Sequence, residues 1–313
     1  MVVFVLRRLI SVIPILLIVG LIVFSMLRLA PGDPASAIVG DNGTAENIAR
    51  VRAELGLDQA LPIQFLKWGA NVVQGDLGTS YFMNRSVTQL LGQRVEPTVA
   101  LACLTLLFTI VIAVPLGVLA AWKHGGWLDR ALMSFSVLGF SIPVFVVGYL
   151  LIWLFALHLG WLPVQGYTRI GGGVWPWLQH LIMPALTLSI IYIALIARVT
   201  RAAVAEALGD DYIRTARAKG ISERQVLIRH ALANSAIPIV TVIGNGIALL
   251  IGGVVVTETV FAIPGLGSLT VDAVLSRDFP IIQGITLVFS MVYVLVNLCI
   301  DLSYLFLDPR IRY

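Results

Sequence analysis

Six long stretches of uncharged, mostly apolar residues alternate with polar segments along the chain. They cover residues 9–27, 98–122, 131–157, 171–197, 231–257 and 280–300. A helix rises about 1.5 Å per residue, so roughly 20 residues cross the ~30 Å hydrocarbon core of a bilayer. The pattern therefore predicts an all-α membrane protein with six transmembrane helices.

The composition agrees with a membrane location. Of the 313 residues, 58% are hydrophobic and 12% are charged, and the mean hydropathy is +0.94. These values exclude an ordinary soluble domain. The pI of about 9.3 would fit a nucleic-acid-binding protein, but the basic residues are distributed by membrane side and form no single basic face. We therefore expect no nucleic-acid partner.

The basic residues also predict the orientation of the chain. An even number of spans places both termini on one side of the membrane. Thirteen of the 21 Lys and Arg residues lie on that side, and six of the other eight lie in one long loop, residues 28–97. Because the positive-inside rule discounts long loops, the termini and residues 198–230 are predicted to be cytoplasmic.

The long loop, which then faces outward, contains three candidate short helices. Thr44 is a candidate N-cap, Pro62 suits a first turn, and Ser86 with Gln89 matches a capping box. Helices this short need to pack on the spans, and the loop is either a structural collar or a contact surface for an external delivery protein. The predicted divisions are an N-terminal transmembrane helix (1–29), an extracytoplasmic helical loop (30–97) and a transmembrane core (98–313).

The polar insertion between the fourth and fifth spans, residues 206–238, carries helix caps and a dense positive charge. Asp210 or Asp211 can cap a helix that runs through Ala218, and Gly220 supplies the left-handed residue that ends it. Ser222 can start a second helix, with Gln225 completing a capping box. Two short helices joined by a sharp bend form a compact docking element.

Four prolines fall within the predicted spans, where each removes a backbone hydrogen bond and tends to kink the helix. They are Pro14, Pro115, Pro143 and Pro184. Kinks are common in structural helices, so a single proline does not identify a moving part.

The fifth span carries two stripes of unusual residues. Gly244, Ala248 and Gly252 recur every four residues, which permits close helix approach. Thr241 and Asn245 lie on an adjacent stripe, and a polar side chain at mid-membrane needs a partner or water. Asn245 is therefore predicted either to form an interhelical hydrogen bond or to line a pathway.

Several kinds of chemistry have no counterpart in the sequence. There is no Gly-x4-Gly-Lys-Ser/Thr phosphate loop, so we expect this chain not to hydrolyse nucleotides itself. The sequence also contains no metal-binding pattern. Ser141 and His180 could be imagined as the catalytic pair of an intramembrane hydrolase, but the Gly-x-Ser-x-Gly motif of such enzymes is absent. A stand-alone secondary carrier or channel is the alternative class, although mid-depth carboxylates, which a proton-coupled carrier uses, are scarce.

Seven ordered motifs carry a resemblance to a known family. They are LAPGDP at 29–34, ELGLD at 54–58, GDLGTS at 75–80, DYIRTARAKG at 211–220, ETVFAIPGLG at 258–267, RDFP at 277–280 and LDPRIRY at 307–313. Over nearly its whole length the chain resembles the permease subunits of bacterial ABC importers in the dipeptide and oligopeptide group. The resemblance implies a type I ABC importer permease (MetI-like) fold in the bacterial inner membrane and a peptide substrate. Glutathione, a nickel complex or haem are the alternative substrates.

The resemblance also implies the partners. These are a homologous second permease subunit, two ABC ATPase subunits that hold ATP and Mg, and an extracytoplasmic peptide-binding protein; this chain itself binds no cofactor. Residues 206–238 correspond to the cytoplasmic coupling loop that docks into a groove on the ATPase. The residues expected to take part are Tyr212, Arg214, Thr215, Ala216, Arg217, Lys219, Gly220 and Ser222.

Two positions of the family's coupling motif are altered in this chain. The superfamily pattern is Glu-Ala-Ala, three residues, then Gly, and with Gly220 as that glycine the triplet here is Arg214, Thr215 and Ala216. A base replaces the acid, so a salt bridge inferred from the general motif does not transfer. Ala216 and Ala218 are small enough for close packing in a partner's groove.

A tight turn is predicted after the fifth span, at its outer end. Pro264 and Gly265 form a strong turn pair, and Gly267 extends it. Glu258 precedes this turn and, with Thr241 and Asn245, is a candidate for the pathway lining. Its side chain either contacts substrate or anchors the turn, and we favour anchoring.

Overall fold

The computed structural model describes residues 2–29, 35, 44–54 and 56–307. Residues 30–34 and 308–313, which belong to the first and last motifs, lie outside the described residues. So do Leu55 of the second motif and two of the arginines used to predict the orientation, Arg310 and Arg312.

The described residues are almost entirely helical. The N-terminal part contains α1 (Val2–Leu29), α2 (Ala45–Glu54), α3 (Leu61–Val73) and α4 (Val87–Trp122). The middle part contains α5 (Trp127–Ser141), α6 (Val144–Leu151) with a π-helical extension (Ile152–His158), and α7 (Val174–Leu208). The C-terminal part contains α8 (Asp211–Ala218), α9 (Glu223–Gln225) continued by a π-helix (Val226–Leu232), α10 (Ala236–Val260), α11 (Leu266–Ser276) and α12 (Phe279–Leu307).

The first two helices of the long loop form as predicted. The backbone N–H of Asn47 donates to Thr44 Oγ1 at 3.3 Å, and Pro62 lies in the first turn of α3. Phe65 and Trp68 of α3 pack against Phe24 of α1, with ring centroids 5.3 and 5.7 Å from that of Phe24. Packing on a span therefore stabilises a helix that is too short to be stable alone.

The third predicted helix begins just after Ser86, as predicted, but it is not a separate short element. Residues 87–122 form one helix, α4, with Pro97 and Pro115 inside it. Joining the two segments gives partners to backbone groups that two separate helix ends would leave unsatisfied. The predicted division between residues 97 and 98 falls inside this helix.

The third predicted span is broken rather than kinked. Helices α5 and α6 meet at 103°, with Ile142 and Pro143 in extended conformation between them. A residue before proline is disfavoured in the helical region, and Pro143 lacks an N–H, so the helix ends here. Pro14, Pro115 and Pro184 stay inside continuous helices.

The bent pair of α5 and α6 nevertheless runs along the neighbouring helices α4 and α7 from one end of their apolar part to the other. At its beginning the carboxylate of Asp129 binds Arg201, near the end of α7. Just after it, the hydroxyl of Tyr167 donates to Glu96, near the start of the apolar part of α4, at 3.1 Å. Helices α4 and α7 each have the length and hydropathy of a membrane span. The bent pair begins beside the end of α7 and finishes beside the start of the apolar part of α4, so it crosses the membrane once.

The structure agrees with the prediction of six transmembrane helices. Helices α4, α7, α10 and α12 are individually long and apolar enough to span a membrane, and the bent pair adds a fifth crossing. Helix α1 has 28 residues, of which residues 10–26 form an apolar helix. The described chain is thus an all-α membrane protein.

The chain divides into two compact units. Among the described residues, one contains residues 96–268 and 296–307, and α7 is its central helix, packed against α5, α6 and α10. Its main core includes Leu101, Leu181, Met183, Leu188 and Ile196, all nearly inaccessible to solvent.

The other unit contains residues 2–95 and 269–295. In it the GDLGTS and RDFP motifs meet, because the hydroxyl of Ser80 donates to Asp278 and the backbone N–H of Tyr81 donates to the same carboxylate. Two motifs separated by almost 200 residues thus form one connection.

Helices α4 and α7 are in close contact at Gly117. A Cβ atom there would lie 2.7 Å from the carbonyl oxygen of Ala197 and 2.6 Å from Cβ of Thr200. We expect Gly117→Ala to destabilise the protein by about 1–3 kcal/mol through overpacking, seen as a lower melting temperature in detergent. Gly92→Ala is the matched control, because a Cβ at Gly92 of the same helix meets nothing within 4 Å. An unchanged melting temperature for Gly117→Ala would contradict this packing.

Candidate functional site

The first helix of the coupling segment, defined here as residues 206–238, has the predicted boundaries. Asp210 is the extended N-cap residue of α8, although its side chain makes no capping hydrogen bond. Gly220 has φ of +75°, and its N–H donates to the carbonyl oxygen of Arg217 at 2.9 Å. The left-handed bend at Gly220 is therefore confirmed.

The capping box predicted at Ser222 is wrong. The hydroxyl of Ser222 donates to the side-chain oxygen of Gln225 at 3.1 Å, and neither side chain caps a backbone amide. The backbone N–H of Val226 donates to the carbonyl of Ser222, and the helix then widens into a π-helix. Ser235, after that π-helix, donates its hydroxyl to Ala203 of α7 at 3.0 Å.

An apolar cluster holds the coupling segment on the ends of two spans. The members from the coupling segment are Ala207, Ile213, Ala216, Val226, Leu227 and Ala231, and those from α4 and the rest of α7 are Val118, Ala121 and Val204. Burial of a side chain such as Ile213 contributes about 1.5–3 kcal/mol. The segment is thus a rigid extension of α4 and α7.

The burial of Ala216 in this cluster contradicts one predicted contact. Ala216 is only 6% exposed and packs inside its own chain, so the expectation that it packs into a partner's groove is wrong. Helix α8 packs against the π-helix of residues 226–232, which in turn packs against α7. Ala218 is exposed and remains accessible to a partner.

The exposed surface of the segment combines apolar and polar side chains. Tyr212 and Ile228 are 37% and 53% exposed. The other exposed candidates are Arg214, Thr215, Arg217, Lys219, Gly220 and Ser222. Seven of the eight predicted coupling residues therefore lie on the surface of this element.

Two of its arginines bind acids of the same segment. Arg214 contacts Asp211 at 3.2 Å, and Arg217 makes two hydrogen bonds to Glu223, at 2.8 and 3.2 Å. The hydrogen bonds to Glu223 raise the pKa of Arg217. Because this pair is partly exposed, it contributes only about 0–1 kcal/mol to stability, but it links α8 to α9 across the bend at Gly220.

Glu258 anchors the turn that follows α10. Its side chain is 0% exposed; the hydroxyl of Thr98 donates to one carboxylate oxygen at 2.6 Å and the N–H of Ser268 to the other at 2.9 Å. A Cβ at Gly265 would lie 2.1 Å from the same carboxylate. The glycines of the ETVFAIPGLG motif thus make room for this anion, and Glu258 does not line a pathway.

Thr241 and Asn245 have different surroundings. The hydroxyl of Thr241 donates to the carbonyl of Ile237 at 2.7 Å and lies 2.8 Å from the hydroxyl of Tyr304 on α12. The interhelical hydrogen bond is therefore made by Thr241. Asn245 is exposed and has no hydrogen-bond partner among the described residues.

Asn245 belongs to an exposed stripe of α10. Its other members, at steps of four and three residues, are Leu249, Gly252, Val256 and Thr259. The predicted small-residue stripe is used only in part within the chain, because Gly244 packs on Ile300 while a Cβ at Gly252 meets nothing within 4 Å.

Sequence reasoning missed a buried ion pair close to the coupling segment. Asp129, at the start of α5, is 4% exposed, and Arg201 of α7 donates one hydrogen bond to each of its carboxylate oxygens, both at 2.8 Å. In the sequence, Arg201 stands out only as one of the basic residues that indicate the cytoplasmic side. The available signal was an acidic residue next to the start of an apolar run.

No cluster of three or more His, Cys, Asp or Glu side chains able to hold a metal ion occurs in the part of the chain that the structure describes.

Comparison with known proteins places the chain in a family of transport proteins. The family profile "Binding-protein-dependent transport system inner membrane component" matches residues 113–313, and the N-terminal profile of the same systems matches residues 1–102. The chain belongs to this family. It is therefore a membrane component of a binding-protein-dependent transport system.

The similar proteins extend over the full length. A "Probable peptide ABC transporter permease protein" of Sinorhizobium fredii is 53% identical over 311 residues, covering 99% of both chains. A glutathione transport system permease protein of Salmonella typhi is 43% identical over 310 residues, again covering 99% of both. A solved structure of the inward-facing MetNI methionine ABC transporter matches with a TM-score of 0.59 at 20% identity, covering 70% of this chain and 97% of that chain. That likeness confirms the ABC importer permease fold.

We expect Glu258→Gln to destabilise the turn after α10. A carboxylate accepts hydrogen bonds on both oxygens, whereas an amide presents a donor on one side, so the bond from Thr98 or from Ser268 is lost. One unsatisfied buried group costs about 1–3 kcal/mol. The check is the melting temperature of the purified protein, with Thr259→Val, an exposed neighbour, as control. Equal melting temperatures for the wild type and Glu258→Gln would contradict the anchoring role.

Proposed function

We propose that this chain is one of two homologous permease subunits of an ATP-driven importer that carries peptides across the bacterial cytoplasmic membrane. It supplies half of the translocation pathway, and two ATPase subunits drive it through the coupling segment. The observation that carries the proposal is the coupling segment itself, whose apolar side is buried on α4 and α7 while seven candidate contact residues remain on its surface.

The substrate class is supported by the relatives. The Sinorhizobium protein is named as a peptide permease. The Salmonella protein, named for glutathione, favours glutathione as a second candidate. Glutathione is itself a tripeptide, so both candidates share amide groups and a terminal carboxylate.

Energy for transport has to come from other subunits. The sequence contains no phosphate loop, so ATP and Mg bind to the partner ATPases and the chain acts as a transport subunit. When those subunits close, the coupling segment moves with them. Its buried apolar cluster is closely packed, so the segment cannot easily shift relative to α4 and α7. The displacement then reaches α4 and α7 directly.

The orientation follows from the basic residues. The coupling segment and both termini face the cytoplasm, and the 30–97 segment faces outward. A binding protein that delivers peptides reaches the outward side, where α3 is held on α1 through Phe24.

The exposed stripe of α10 supports pairing with a second permease. An amide such as Asn245 is unfavourable against lipid, so it requires a protein partner or water. A pathway between two subunits provides both. Asn245 is thus the pathway-lining candidate that remains after Glu258 and Thr241 are assigned to structural contacts.

The proposal is tested by reconstituting the chain with its partner permease, ATPases and binding protein in liposomes. Uptake and substrate-stimulated ATP hydrolysis are measured with a dipeptide, a longer peptide, reduced glutathione, a nickel complex and haem. We expect peptides to stimulate both activities. Stimulation by glutathione alone would favour the second candidate. Recovery of the chain as an active homo-oligomer without ATPases would contradict the proposal and favour a stand-alone carrier.

The bend at Gly220 gives a sharper prediction for coupling. Proline restricts φ to about −65° and has no N–H, so Gly220→Pro removes both the left-handed bend and the hydrogen bond to Arg217. We expect loss of uptake and of substrate-stimulated ATP hydrolysis while membrane insertion is retained. Gly220→Asn is the matched control, because Asn tolerates the left-handed conformation and no atom lies within 4 Å of the added Cβ. Normal uptake by Gly220→Pro would contradict the role of the bend.

A further inference from the structure

The carboxylate of Asp129 is a meeting point for three elements. Arg201 of α7 binds both of its oxygens at 2.8 Å. The backbone N–H of Gly125, in the connection between α4 and α5, donates to it at 2.9 Å. Nδ1 of His124 lies 3.2 Å from the same carboxylate and 2.9 Å from Arg201 Nη2. One buried side chain thus joins α5, α7 and the connection.

The backbone connection from α4 to α5 contains two glycines at the same point. Gly125 and Gly126 precede α5, and Gly125 has φ of +76°. Glycine is the residue whose backbone is least restricted, so the peptide chain alone transmits little force from α4 to α5. The ion pair with Arg201 supplies the rigid connection that this glycine pair does not.

The position of Arg201 connects this pair to the coupling segment. Arg201 is three residues from Val204 on α7, and Val204 belongs to the apolar cluster that buries Ile213 and Ala216 of α8. No α5 residue belongs to that cluster as the described residues define it. A displacement of the coupling segment therefore reaches α4 and α7 through the apolar cluster, whereas the beginning of α5 is held to α7 by Arg201 and its later part by packing along α7.

Helix α5 leads to the break in the third span. It runs along α7 from Asp129, and Ser136 donates its hydroxyl to the carbonyl of Ala194 at 3.1 Å. It ends at Ser141, just before the 103° bend at Pro143. A movement imposed on the start of α5 is therefore delivered to the bend.

We propose that Asp129 and Arg201 are positioning residues for energy coupling: their ion pair makes α5 move with α7 when the coupling segment is displaced. This inference rests on the proposed function. The pair is buried, and removal of one partner leaves an uncompensated charge, so single neutral variants are unsuitable as the only test. Asp129→Asn combined with Arg201→Gln keeps similar shapes and removes both charges. Arg201→Lys keeps the charge but loses the bidentate geometry.

The experiment uses the complete complex in liposomes. The control variant is Arg130→Gln, which removes an exposed charge one residue from Asp129. Peptide uptake and ATP hydrolysis are measured together with assembly and melting temperature. We expect the double variant to assemble and hydrolyse ATP, while peptide imported per ATP falls about fivefold or more. Arg201→Lys should fall between the double variant and the wild type.

A distance measurement separates positioning from simple stability. Spin labels are placed at the exposed positions Ser134 of α5 and Ala202 of α7, after Cys103 and Cys299 are replaced by serine. In the wild type the label distance should stay constant when ATP is added. In the double variant the resting distance should match the wild type, and ATP should change or broaden it.

Each alternative outcome has a distinct meaning. A wild-type complex without ATP-dependent uptake contradicts the proposed function and this inference with it. A coupled wild type together with a double variant that imports as much peptide per ATP overturns the inference alone. If the double variant and Arg201→Lys both fail to assemble while Arg130→Gln assembles, the pair is structural and the positioning role is rejected.

Discussion

The structure depends on the continuity of one helix, α7. Its 35 residues from Val174 to Leu208 form one continuous helix, although Pro184 has no N–H and removes one backbone hydrogen bond. Leu188 and Ile196 lie in the main core, and Val204 and Ala207 lie in the separate cluster that buries the coupling segment. A stiff rod buried in two cores joins the membrane part to the docking element, because a helix transmits displacement along its axis far better than a loop does.

Three carboxylates make their contacts where helices begin or end. Glu258 binds the backbone at the start of α11, Asp278 holds the GDLGTS loop, and Asp129 holds the start of α5. In each case a carboxylate accepts hydrogen bonds from groups that a helix end or turn leaves unsatisfied. Far from water such a group is costly without a partner. This explains the acids and glycines of the GDLGTS, ETVFAIPGLG and RDFP motifs.

Much of the architecture was predictable from residue types and spacing. Apolar stretches of spanning length located the membrane helices, because hydrocarbon allows few alternatives to a helix. Thr44, Pro62 and Gly220 marked helix ends because capping and left-handed turns depend on neighbouring residues. The capping box at Ser222 did not form, since the side chain of Gln225 was taken by the Ser222 hydroxyl. The break at Pro143 looked like a kink because sequence shows that a hydrogen bond is lost but not how far the helix turns.

Local periodicity, charge and capping were sufficient to predict a membrane protein, its spans and the position of the coupling segment, and the motifs added the resemblance to a permease family. Only the tertiary structure decided that Ala216 is buried, that Glu258 is an anchor and not a pathway residue, and that Asp129 binds Arg201. Each of these depends on residues distant in sequence. Whether a side chain faces its own chain, a partner or a cavity is set by the packing of helices, and the composition of one helix does not contain that information.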